Sequence, residues 1–128
     1  MNHGPSAVAD RDVEGAYRYL LGRKIRTVFL IGAELGANAA LVVATRVPVA
    51  GVVAIAPLSR RDALDPSRVL ADVRSPLLFL AREADRDTNA LAALASAARL
   101  VVVSDGDLVA SPHAVATILK FLEDAAKP

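Results

Sequence analysis

The chain has 128 residues with a net charge of +1, an apolar fraction of 54% and an aromatic fraction of 4%. That length suits one domain with a core built mainly from Ala, Val, Leu and Ile. The near-zero charge gives no reason to expect a nucleic-acid or membrane-surface partner. The absence of cysteine excludes disulfides, thiolate catalysis and Cys-based metal sites, and leaves the reducing cytoplasm as the default compartment.

The first ten residues carry no apolar run that could serve as a signal peptide, and they are expected to be flexible ahead of a single domain over 11–128. Helical spacing begins at 12–21, where Val13, Ala16, Tyr17, Leu20 and Leu21 share a face. Asp10 or Asp12 is placed to cap it, and Gly22 to end it in a left-handed conformation. A short β-branched strand, TVFLI, follows at 27–31. An Ala/Leu/Val helix is predicted over 36–45. A second strand over 49–56 stops at Pro57.

The stretch 61–73 is polar, with Asp65-Pro66 as a helix start. A third strand, PLLFLA, covers 76–81, and an Ala/Leu helix covers 88–98. A fourth strand covers 100–103. Ser111-Pro112 opens a last helix reaching about residue 125, with Val115, Ile118, Leu119 and Leu122 expected inside. Strands separated by helices imply right-handed crossovers, hence an α/β fold with about four parallel strands. No apolar run reaches the ~18 residues of a membrane span.

Parallel sheets bind ligands beyond the carboxyl ends of their strands. Four segments meet that description: 32–36, 56–61, 82–87 and 104–111. The first, Gly32-Ala33-Glu34-Leu35-Gly36, is the most specific. A strand, Gly-x-x-x-Gly and a helix demand close backbone approach at both glycines. Glu34 is then pushed out above the sheet beside a helix N-terminus, where a carboxylate is favoured. It is either a helix-start acid or a chemically active group. Gly32, Ala33, Leu35 and Gly36 are the candidate ligand-binding backbone around it. Glu83, Asp85 and Asp87 form an acidic cluster suited to a divalent cation or to a solvated loop, and Arg60-Arg61 suits an anion or plain surface. No pattern calls for a metal or a cofactor.

The run 28–41, VFLIGAELGANAAL, resembles the nucleophile elbow of the α/β-hydrolase superfamily, whose Gly-x-Ser-x-Gly carries the nucleophile. Runs 49–57, 75–85, 101–103 and 111–122 resemble the later segments of the same fold in order, closest to dienelactone-hydrolase-like esterases. The resemblance implies that Glu34 stands at the serine position and Asp85 at the triad acid. His113 is the one candidate for the base, since the family's histidine position falls within 104–107, Ser-Asp-Gly-Asp. His3 sits in the N-terminal segment and is discounted. The family's upstream strands and oxyanion-hole loop have no counterpart, so a truncated, C-terminal half-sheet is expected. Two readings follow. One is a domain without serine-hydrolase activity, acting by assembly or by binding a small ligand. The other is a weak esterase using Glu34, with Asp85 and His113 assisting. In the half-sheet the strand 27–31 becomes an apolar edge, which predicts a homodimer or a partner chain completing the sheet.

Overall fold

The four strands are short and, apart from Arg99, apolar, and each is followed by a segment that carries the chain back across the sheet. In the computed structural model, which describes residues 5–58, 64–68, 70–95, 98–103 and 108–127, they form one parallel sheet in the order β1-β2-β3-β4. β1 is Phe29–Ala33, β2 Gly51–Ile55, β3 Leu77–Ala81 and β4 Ala98–Val102. Helix α1 (Pro5–Gly22) precedes β1, and α2 (Leu35–Val43) joins β1 to β2. Two 3-10 turns (Pro66–Arg68 and Leu70–Asp72) lie between β2 and β3. α3 (Arg86–Ala93) joins β3 to β4, and α4 (Pro112–Ala126) closes the chain. The α/β fold expected from the sequence is the one observed.

Register explains why the strands are apolar on both faces. Leu30 pairs with Val52 and Val52 with Leu77, and these side chains point into a core shared with α1, α2 and α3. The alternate residues Val53, Ile55, Leu78 and Leu80 point the other way, onto Ala114 and Phe121 of α4. Side chains alternate faces along a strand, so burial of both sets requires helices on both sides. Among the described helices, α4 covers the second face. Phe121 and Phe29 meet over Gly51, where an added Cβ would lie 3.1 Å from the Phe121 ring.

Several boundaries differ from expectation, each for a local reason. α1 begins at Pro5, so residues 5–10 are helical and Asp10 lies inside the helix rather than capping it. Arg46, just beyond α2, reaches Asp10 at 2.8 Å and Glu14 at 3.6 Å, and the Tyr17 hydroxyl donates to Pro48 O at 2.9 Å. These contacts hold α1 against α2. Gly22 is the last helical residue, and Lys24 takes the left-handed conformation (φ 63°) instead. The Ile25 N–H donates to Leu20 O and the Lys24 N–H to Leu21 O, the paired bonds of a Schellman end.

Asp65 does open its turn, accepting from the Ser67 N–H, but that turn is 3-10. α3 starts two residues before the expected Thr88 because Asp85 caps it. On α4, Val115 and Leu119 are exposed, contrary to expectation, and Ala114 and Phe121 are the buried pair. The helix presents the 114/118/121/125 stripe to the sheet, which turns 115 and 119 aside.

Candidate functional site

Glu34 follows β1 directly and N-caps α2. Its backbone has φ 53° and ψ −119°, a sparsely populated conformation that costs an L residue on the order of 1–3 kcal/mol. The turn is held on both sides. The Glu34 N–H donates to Ile55 O at 2.8 Å, which continues the β1–β2 ladder, and the Glu34 carbonyl accepts from the N–H groups of Ala37 and Asn38. The side chain makes no capping hydrogen bond and is exposed. The Glu34 carbonyl thus serves the N-cap position while its carboxylate adds no cap. Ala33 and Gly36 are exposed beside it, with Gly32 and Leu35 half-buried.

Of the two glycines, Gly32 alone makes a close approach. A Cβ there would meet the Gly36 carbonyl oxygen at 2.3 Å, while a Cβ on Gly36 would meet nothing within 4 Å. The expectation of two close approaches is corrected to one. Gly36 contributes the backbone that Gly32 must clear.

The next strand end carries a second left-handed residue, Ala56 (φ 48°), whose N–H donates to Leu80 O at 2.9 Å. Strain at neighbouring strand ends persists only where the surroundings over-determine it. Asn38 supplies that constraint. It is fully buried in α2, and its Nδ2 donates to Leu58 O (2.7 Å) and Leu64 O (3.0 Å) while its Oδ1 accepts from the Leu58 N–H (2.8 Å). All three bonds run to the segment after β2. Sequence reasoning missed Asn38, although a lone amide within an Ala/Leu/Val helix is a legible signal.

Asp85 follows β3 at the same edge of the sheet as Glu34, two strands away, a separation of about 10 Å between strand axes. Both of its oxygens are engaged by Thr88. Oδ1 accepts from the Thr88 N–H at 3.0 Å and Oδ2 from the Thr88 hydroxyl at 2.7 Å. His113 is the second residue of α4 and is exposed, and its carbonyl accepts from the Thr117 hydroxyl. Among the described residues no hydrogen bond joins Glu34, Asp85 and His113.

Grooves of about 440, 310 and 270 Å³ indent the described surface, and none of the three site candidates lines any of them. The 310 Å³ groove runs beside β1 under α1 and includes Gly32 and Gly36. No group of three or more acidic or histidine side chains among the described residues is arranged to hold a metal ion, so Glu83, Asp85 and Asp87 do not converge. No described helix is long and apolar enough to cross a membrane. Arg60-Arg61, residues 104–107 and His3 lie outside the described residues.

No family model matches the chain, and no curated protein sequence does. Solved structures do share its fold. SOBER1 of Arabidopsis thaliana superposes with a TM-score of 0.74 at 12% identity, over 99% of this chain and 67% of that one. A lipase-esterase related protein from Clostridium acetobutylicum gives 0.71 at 14%, over 94% and 77%. An α/β serine hydrolase homologue from Coxiella burnetii gives 0.71 at 16%, over 98% and 62%. The chain thus spans between 62% and 77% of the length of these three proteins. At such identities the likeness is one of fold.

Proposed function

We propose that this α/β-hydrolase-like domain performs no serine-hydrolase chemistry and acts by assembly or by holding a small ligand above the strand ends. The observation that carries this reading is the engagement of Asp85. An acid that orients a catalytic base needs an oxygen aimed at that base. Both oxygens of Asp85 instead face Thr88 of its own helix. A serine is absent from the elbow position, where the resemblance puts Glu34, and His113 stands exposed on the first turn of α4. Neither side chain is buried, so solvent screens any interaction between them.

One observation favours the second reading, a weak esterase using Glu34. The strained Glu34 backbone, fixed between Ile55 and the first turn of α2, has the character of a nucleophile elbow, and strain of this kind gathers at functional turns. A carboxylate there would attack an ester carbonyl and expel the alcohol, which takes a proton from water, leaving a mixed anhydride that water then hydrolyses to the free acid and the restored Glu34 carboxylate.

Turnover of p-nitrophenyl acetate separates the two. The first reading expects no rate above buffer for the natural chain and none for Glu34→Ala. A rate abolished by Glu34→Ala would overturn it. Glu34→Ser is expected to remain inactive, because no base among the described residues is hydrogen-bonded to the site.

A further inference from the structure

β1 is an end strand of the sheet, and its outer edge is open among the described residues. The Glu34 N–H donates to Ile55 O, and Val28 O accepts from the Ala50 N–H, so even-numbered residues turn their peptide groups toward β2. Strand alternation then points the N–H and C=O groups of Phe29, Ile31 and Ala33 outward. The strand contains no lysine, proline or other charged residue to protect that edge. The opposite edge strand, β4, carries Arg99.

Both flanks of the β1 edge are apolar. On the α1 side lies the 310 Å³ groove, walled by Val13, Tyr17, Leu20 and Leu30. On the α4 side Ile31 is 52% exposed. Ala116, Thr117 and Lys120 of α4 face Arg99 and Val101 of β4, so the other flank of that helix, bearing Val115 and Leu119, is turned toward β1. Val115 and Leu119 are exposed as well. An open edge between two apolar flanks is an association surface.

Charge decides what fits it. Arg26 lies just before β1 and Glu34 just after it. Both are exposed, and neither makes an ion pair among the described residues. A strand with a cation at one end and an anion at the other complements a second copy of itself running antiparallel.

We propose that the occupant of this edge is a second copy of the chain, its β1 paired antiparallel with the first about Leu30, giving a continuous eight-stranded sheet. In that register Phe29 of each copy faces Ile31 of the other, and both belong to the set whose peptide groups point outward. Arg26 of each copy falls opposite Glu34 of the other. The pairing is isologous, so both ion pairs form together. It names the partner for the assembly reading above and rests on that reading. The assays fail separately: ester hydrolysis overturns the non-catalytic reading, and a monomer without hydrolysis overturns this one alone.

Sedimentation equilibrium of the full chain from about 1 to about 200 µM tests the proposal, since mass action makes the dimer visible within that range. A dimer is expected, and a clean monomer at the top concentration overturns the proposal. Ile31→Lys, with its circular dichroism unchanged, is expected to be monomeric, and a persisting dimer overturns the interface. Should that variant unfold, charge exchange decides. Arg26→Glu should weaken the dimer about 10-fold, because each substitution acts at two symmetric contacts. Arg26→Glu combined with Glu34→Arg should restore it to within about 3-fold. No recovery overturns the antiparallel register.

Discussion

The backbone of Gly36 lies so close to Gly32 that a Cβ on Gly32 would stand 2.3 Å from the Gly36 carbonyl oxygen and 2.7 Å from the Ala37 nitrogen. The strand reaches its turn only because that Cβ is missing. Gly32→Ala must therefore push α2 away from β1, and α2 contributes seven consecutive buried residues to the core. The expected loss is about 2–4 kcal/mol, as for other overpacked sites. Gly36→Ala fills open space within a helix and should be neutral or stabilising by about 0.5 kcal/mol. Urea unfolding of both variants checks the asymmetry, and equal losses would contradict it.

Asp85 offers a contrast between capping and catalysis. Its carboxylate caps α3 through Thr88, so Asp85→Ala should cost about 1–2 kcal/mol, while Asp85→Asn, which keeps an acceptor, should cost less than half as much. Thermal unfolding of the two variants measures this. An Asp85→Asn variant as unstable as Asp85→Ala would mean that charge, not the acceptor, matters there.

Asn38 tests the support beneath the strand ends. Asn38→Ala removes three hydrogen bonds, two from the N–H and C=O of half-buried Leu58 and one from the C=O of buried Leu64. Leaving such groups unpaired costs about 1–3 kcal/mol each, so a total near 3 kcal/mol is expected. Hydrogen exchange should show protection lost first at the Leu58 amide, and global destabilisation without that local signature would oppose the assignment.

The end of α1 predicts a gain. Lys24 holds a left-handed φ of 63°, and Gly22, two residues earlier, is the last residue of the helix with open space around it. Lys24→Gly should stabilise by about 1 kcal/mol by relieving the Cβ clash of the left-handed region. Gly22→Ala should add about 0.5–1 kcal/mol by helix propensity. Chemical denaturation of the double variant should show the two gains adding, since each acts on its own residue's backbone.

Much of this protein was determined by its sequence alone. Apolar runs broken by Gly, Pro and polar segments dictate four strands and their crossovers, because only helices on both faces can bury strands that are apolar throughout. Ser111-Pro112 and Asp65-Pro66 were legible as starts because capping is local chemistry between a side chain and N–H groups two or three residues on.

Tertiary structure decided what depends on distant neighbours. Whether Gly32 or Gly36 needs to be glycine depends on how tightly α2 folds back on β1, and the same motif spacing serves either answer. Residues 5–10 are helical with Asp10 meeting Arg46, a contact 36 positions away that no local pattern reveals. Val115 and Leu119 match a helical stripe as well as Ala114 and Phe121 do, and only the position of α4 over β2 and β3 buries one pair and exposes the other. Glu34 was legible as a residue set apart by its turn. Its left-handed backbone, its uncapped side chain and the commitment of Asp85 to Thr88 follow from the packing of β1, α2 and β2 and from the cap of α3, not from the order of residues in Gly-Ala-Glu-Leu-Gly.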